Sequence, residues 1–209
     1  MNKYLVVEGN IGAGKTTLVR LLADHWGVPC LFEQFTDNPF LPRFYEKPER
    51  YAFSLETSFL AERYRQMQDE LSVAQVRRRG LVADYSFYKS LIFARKTLDP
   101  DEFGLFGQLF AIINQRLPQP QLFVYLSTPI PRLLQQIAAR GRAYEQSIEA
   151  PYLMYIDESY RHFMSHASGL KCLIINTSEV DFVQNPGDFG FIRSLLERDY
   201  PYGITEITP

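Results

Sequence analysis

Two cysteines and three histidines in 209 residues, the cysteines far apart in sequence, exclude a disulfide scaffold and a structural zinc site. Cys30 and Cys172 each open an apolar run and read as reduced core residues. His25, His162 and His166 have no cysteine near them in sequence. No apolar run approaches the roughly 18 residues that a membrane-spanning helix needs. Neither sign of charge dominates: 22 basic against 24 acidic residues leave a net charge of −2 and no electrostatic footprint for nucleic acid. The one basic cluster, Arg77-Arg78-Arg79 before Gly80, reads as the cationic end of a helix. Internal repeats and low-complexity segments are lacking too. The first residues run straight into an apolar strand with no leader pattern, which predicts a cytoplasmic protein. With 46% hydrophobic residues, the chain is suited to one α/β domain over 1–209 with a full core.

What is present is concentrated near the start. Tyr4 to Val7 is a short apolar run of the kind that forms a buried parallel strand, and Leu18, Leu21 and Leu22 recur at helical spacing. Between them lies G-x-x-x-x-G-K-T, in full Gly9-Asn10-Ile11-Gly12-Ala13-Gly14-Lys15-Thr16, followed by Thr17. A strand, a glycine loop and a helix in that order make a P-loop. Its backbone N–H groups and the helix N-terminus cradle phosphates, Lys15 reaches the terminal ones, and the Thr16 hydroxyl is a ligand for Mg²⁺. ATP with Mg²⁺ is the ligand this predicts.

Further along, Val28–Phe32, Leu81–Ala83, Gln121–Leu126 and Lys171–Asn176 read as strands, giving five with the first. Helical patterns fall at Glu49–Arg77, Phe87–Leu98, Glu102–Gln115, Ile130–Ala139, Pro151–His166 and Phe189–Arg198, while Thr36–Pro48 reads as irregular with at most a short helix. The tail from Tyr200 shows no clear pattern. The alternation predicts a five-stranded parallel sheet covered on both faces, with ligands beyond the carboxyl ends of the strands. The second strand ends on Glu33 and the third on Asp84, so both should converge with the P-loop.

A carboxylate facing the triphosphate can take the proton of a neutral hydroxyl acceptor, and Glu33 suits that role and is a second candidate oxygen ligand for the metal. Asp84 could hold Mg²⁺ through water, pair with an arginine, or cap the next helix together with Ser86. Arg140 and Arg142 flank Gly141 in a polar segment, a lid over about 140–150, where guanidinium groups can neutralise charge on a transferring phosphoryl group. Glu145 follows closely and could accept from a sugar hydroxyl.

These residues together resemble the deoxyribonucleoside kinase family, over nearly the whole chain. The resemblance rests on Gly-Asn-Ile-Gly-Ala-Gly-Lys-Thr-Thr at 9–17, Glu33, Tyr-Glu-Lys-Pro-Glu-Arg-Tyr at 45–51 and Leu-Glu-Thr-Ser-Phe-Leu at 55–60. Asp-Tyr-Ser at 84–86 and Arg-Gly-Arg-Ala-Tyr-Glu at 140–145 with Tyr152-Leu153 complete it. It implies a P-loop kinase fold and transfer of the γ-phosphoryl group of ATP to the 5′-hydroxyl of a deoxynucleoside, in a homodimer. Glu33 would be the base, Lys15 the donor-side lysine, and Arg140 and Arg142 the lid arginines. Tyr45 and Glu145 would hold the sugar 3′-hydroxyl, and Glu56 and Arg63 would face the nucleobase. Two positions depart from the family pattern. Tyr85 stands where an arginine is usual, with Lys89 one turn on as a substitute cation; Glu56 stands where a glutamine is usual. An ionised carboxylate only accepts hydrogen bonds, so Glu56 suits a base edge rich in N–H donors, unless it is protonated, paired with Arg63 or turned away. Purine deoxynucleosides are the expected acceptors. A nucleoside monophosphate kinase, thymidylate kinase-like, and a non-catalytic nucleotide-binding module are the competing readings. Glu33 speaks against the first, because it would repel a phosphate acceptor, although Arg43 or Arg50 could offset that. Lys15, Thr16, Glu33 and the paired arginines speak against the second.

Overall fold

Strand β1, Tyr4–Gly9, lies at the centre of the sheet, and its alternating side chains divide the core in two. A computed structural model of the chain describes residues 3–34, 38–77, 80–142, 145 and 148–209, with the side chains of 45 and 70–77 outside that description. Six strands form one sheet: β1, β2 (Cys30–Leu31), β3 (Leu81–Ala83), β4 (Leu122–Ser127), β5 (Lys171–Asn176) and β6 (Gly203–Ile207). Their order is β2-β3-β1-β4-β5-β6, and every neighbouring pair runs parallel. The expected five strands are therefore six. The extra one is the tail, where Gly203 pairs with Lys171 and Ile207 with Ile175 at the sheet edge. The second strand is also shorter than the apolar run Val28–Phe32, pairing only through Cys30 and Leu31.

Connecting segments form the helices α1 (Lys15–Trp26), α2 (Leu41–Glu46), α3 (Pro48–Arg77), α4 (Tyr88–Thr97), α5 (Pro100–Asn114), α6 (Ile130–Arg140), α7 (Ala150–His166) and α8 (Pro186–Leu196). Leu5, Val7, Val82, Val124 and Leu173 face Leu18 and Leu22 of α1, Leu133 of α6 and Ile192 of α8. On the opposite face Val6, Ala83, Phe123 and Ile174 pack against Met67 of α3, Ile92 of α4, Phe106 of α5 and Tyr160 of α7. Both faces are apolar, as a parallel sheet covered by crossover helices requires. Local signals set the helix ends: Asp99 accepts from the Asp101 and Glu102 N–H groups to start α5, and Gly27 in the left-handed region ends α1. Cys172 is buried and Cys30 half-buried, and both are free thiols. Among the described residues no helix is long and apolar enough to cross a membrane.

Candidate active site

The carboxyl ends of β1, β2 and β3 are adjacent in the sheet, so the P-loop, Glu33 and Asp84 meet there. The P-loop needs its glycines for two reasons. Gly12 and Gly14 lie in the left-handed region, at φ 85° and 82°. A Cβ on Gly12 would come 3.0 Å from the Leu133 carbonyl of α6, and one on Gly14 would come 2.9 Å from the Phe182 ring. The loop is thus packed directly under α6, the helix that carries Arg140 at its end. The buried Asn10 side chain ties it to α7 as well, donating to the Leu153 carbonyl at 2.7 Å and accepting from the Ile11 N–H.

Lys15 folds back over the loop, donating to the carbonyls of Gly9 at 2.9 Å and Asn10 at 2.8 Å. Burial, and then repulsion from Lys89, lower its ammonium to about 8. The folded state therefore holds fewer protons than the unfolded chain between about pH 8 and 10.5, and the stability of the ligand-free protein rises with pH across that window. A bound triphosphate restores the charge. ATP binding at pH 8.5 is expected to take up a fraction of a proton, read by calorimetry in two buffers of different ionisation enthalpy. Equal heats in both would show that Lys15 does not meet the phosphates.

Asp84 joins the donor side of the site to the acceptor side. One carboxylate oxygen accepts from the Thr16 hydroxyl at 2.6 Å, and the other accepts from the Glu33 backbone N–H at 2.8 Å. It does not cap the next helix, whose N-cap is Phe87. The Glu33 carboxylate is enclosed by cations. Arg63 donates to Oε1 through Nε at 3.1 Å and a terminal nitrogen at 2.8 Å, and Lys89 meets Oε2. Burial alone would raise the Glu33 carboxyl, but Lys89 and Arg63 outweigh it and hold it at about 2. Thr16 and Glu33, the two expected metal ligands, are thus not in contact. Asp84 is the carboxylate beside Thr16, while both Glu33 oxygens are engaged by nitrogen donors. A hydroxyl next to a carboxylate is a hard oxygen pair of the kind that binds Mg²⁺ together with phosphate and water.

Tyr85 does not face this site. It is fully buried in the core and donates to Gln66 at 2.7 Å, while Gln66 donates to the Phe32 carbonyl. Glu56 and Arg63 are both buried on α3 but do not bond each other in the contacts they make: Glu56 accepts from Thr97 of α4 at 2.8 Å, and Arg63 also donates to Ser90 at 2.9 Å. Burial raises the Glu56 carboxyl, against the hydrogen bond from Thr97 and the charge of Arg63. Arg140 and Arg142, expected in the lid, both converge on Glu145, which is buried. The side chain of Tyr45 and residues 143–144 and 146–147 of the lid lie outside the described residues, as do Arg78 and Arg79.

One site residue is absent from the expectations above. Glu8, on β1, is fully buried. Oε1 accepts from the Ser86 N–H at 2.7 Å and its hydroxyl at 3.1 Å, and Oε2 accepts from Tyr160 at 2.8 Å. A carboxylate inside an apolar central strand is itself a signal, since it must find donors when buried. A groove of about 620 Å³ lies elsewhere, between α4, α5 and α7, and none of these groups lines it.

Known proteins resemble this chain in sequence and in fold. The chain is 34% identical over 190 residues to a deoxyguanosine kinase of Bacillus subtilis, covering 89% of this chain and 92% of that protein. It is 29% identical over 199 residues to a deoxyadenosine kinase of Lactobacillus acidophilus, covering 88% and 90%. Its fold matches that of a deoxyadenosine kinase from M. mycoides solved with bound dATP, with a TM-score of 0.75 over 94% of this chain and all of that one, at 17% identity. The family described as deoxynucleoside kinase matches residues 5–196, which span the sheet from β1 to β5, the helices α1 to α8 described above and the groups of the site. The chain, whose P-loop Thr16 is joined through Asp84 to Glu33, belongs to the deoxynucleoside kinase family.

Proposed function

We propose that this kinase transfers the γ-phosphoryl group of ATP to the 5′-hydroxyl of a purine deoxynucleoside, with Glu33 as the base. The observation that carries this reading is that Asp84 spans from the P-loop Thr16 to the backbone of Glu33. A hydroxyl beside the Glu33 carboxylate is then in line with a phosphate chain on the P-loop. Lys15 and the loop N–H groups hold that chain, and Arg140 and Arg142 neutralise charge on the transferring group. Thr16 and Asp84 would hold Mg²⁺, which would supply charge neutralisation. Tyr45 and Glu145 hold the sugar 3′-hydroxyl, and Glu56 faces the base from the same helix as Arg63. Arg63 keeps Glu33 oriented. A monophosphate acceptor would bring its own anion against Glu33, whereas a hydroxyl brings none.

The purine preference is supported by the deoxyguanosine and deoxyadenosine kinases among the relatives and by Glu56. Glu56→Gln is expected to lower the ratio of guanine to adenine turnover about tenfold, the scale of one good base contact. An unchanged ratio would remove Glu56 from base recognition. A cytoplasmic homodimer is the proposed working form. The dimer is supported by Leu105 and Ile112 on α5 and Met154 on α7, which stand 50%, 59% and 53% exposed, and light scattering in solution checks it.

The test of the reaction is a phosphoryl-transfer assay with ATP and Mg²⁺ against the four deoxynucleosides and their monophosphates. Turnover of purine deoxynucleosides is the expected result. Product from the monophosphates alone would overturn it.

A further inference from the structure

Position 85 carries no cation, and the fold shows that none reaches the site from there: Tyr85 is in the core with its hydroxyl on Gln66. A different cation occupies the acceptor end. Lys89, in the first turn of α4, brings its ammonium against Glu33 Oε2, and both side chains are about nine-tenths buried. Its position is fixed from below. The Lys89 N–H donates to the Ser86 carbonyl at 3.2 Å, and Ser86 is anchored through its N–H and hydroxyl to Glu8. Its ammonium nitrogen lies over the Phe93 ring, 5.5 Å from the centroid.

From the opposite side the P-loop presents Lys15. Its ammonium donates to the carbonyls of Gly9 and Asn10, the first residues of the loop. A lysine on the donor loop and a lysine on the acceptor-side glutamate are favourably placed when an anion lies between them. The path from a P-loop phosphate to a hydroxyl at Glu33 passes there, along the single carboxylate of Asp84. The group that crosses that path is anionic.

Resting on the nucleoside-kinase reading, we propose that Lys89 is a catalytic residue that contacts the phosphoryl group in flight, in the electrostatic role left open at Tyr85. In the transfer the nucleoside 5′-oxygen forms a bond to the γ-phosphorus while the bond from that phosphorus to the β–γ bridging oxygen breaks. The hydroxyl proton goes to Glu33, and the bridging electrons leave with ADP. Lys89 exchanges no proton. Its ammonium passes from Glu33 Oε2 to the equatorial oxygens of the moving group, whose charge is spread in a loose transition state.

Lys89→Met keeps the length of the chain and removes the charge. It is expected to lower kcat with deoxyguanosine about 100-fold, the scale of losing one preorganised donor, with nucleoside affinity nearly unchanged. Lys89→Arg is expected to recover most of that loss, and Lys89→Ala to be rescued saturably by added ethylammonium. By calorimetry, Lys89→Met is expected to bind ADP like the parent but to bind a bisubstrate analogue, two nucleosides joined through a polyphosphate bridge, about tenfold more weakly. An active parent with Lys89→Met within threefold of it in kcat would overturn the proposal, as would a loss confined to nucleoside KM, or an alanine variant that folds and does not respond to ethylammonium. Absence of deoxynucleoside turnover in the unaltered protein would instead overturn the kinase reading on which it rests.

Discussion

Glu33→Gln is expected to lose about 10³-fold or more in kcat, within the range contributed by a positioned general base, while ATP binding is retained. The carboxylate sits between Arg63 and Lys89, which hold it ionised at any pH where the protein works. Glutamine has the same shape but neither accepts the proton nor balances the two cations. Two effects follow, and they separate by pH. The Glu33 carboxyl lies at about 2 in the folded protein and at 4.5 as its ordinary value. A depressed carboxyl contributes stability that is fully present above pH 4.5 and is lost as pH falls through 2; the difference is about 3 kcal/mol. The glutamine variant should therefore be destabilised at pH 7 and approach the parent in stability near pH 2. Glu33→Asp distinguishes charge from placement. It keeps both ion pairs within reach but withdraws the carboxylate by one methylene, so it should recover most of the stability and only a minor part of the rate. Assays of kcat and denaturant unfolding at pH 7 and pH 3 check both. A glutamine variant that retains most of its turnover would remove Glu33 as the base.

The elements that position this site were largely readable in the chain, because each announces itself locally. The P-loop is a contiguous string with its strand and helix attached, and Glu33 and Asp84 end short apolar runs. What was not readable depends on the far side of the fold. The edge strand β6 was missed because Gly203–Ile207 buries no residue fully and follows Pro201, so it lacks the apolar run of the inner strands; its pairing with β5 supplies what its sequence does not. The side chain of Tyr85 could point to either face from its sequence, and the packing sends it into the core. Lys89 was visible as a cation one turn beyond, but its contact with Glu33 spans 56 residues and that of Arg63 with Glu33 spans 30. The pairing of Thr16 with Asp84, 68 residues apart, has the same origin. In each case the residue type was evident and the partner was not.

Glu8 is the clearest instance, and it carries the second large prediction. Its partners, Ser86 and Tyr160, lie 78 and 152 residues away, so nothing near it in the chain marks its role. Burial raises its carboxyl, while Lys89, Lys15, the Ser86 N–H and the Tyr160 hydroxyl draw it back toward the ionised form. One carboxylate thus gathers α4, α7 and β1 and lies beneath both lysines of the site. Glu8→Ala leaves three donors buried without an acceptor and opens a cavity in the central strand. Each orphaned donor costs about 1–3 kcal/mol, so the total is expected to reach about 4–5 kcal/mol, a loss large enough to count as exceptional for one substitution. In a chain of this length that corresponds to roughly 10–15 °C in melting temperature. Glu8→Gln keeps one oxygen for the Ser86 donors and turns its amide toward Tyr160, whose hydroxyl can accept as well as donate. It should fold with a loss of about 1–2 kcal/mol and then report on function alone. With the anion gone from beneath Lys15 and Lys89, their mutual repulsion grows, and ADP, which supplies a compensating anion, should protect the glutamine variant against heat more than it protects the parent. Melting curves with and without ADP for parent, alanine and glutamine variants measure this. An alanine variant that melts within 2–3 °C of the parent, under about 1 kcal/mol, would show that water or a neighbour replaces the carboxylate and that Glu8 is not what joins the three elements.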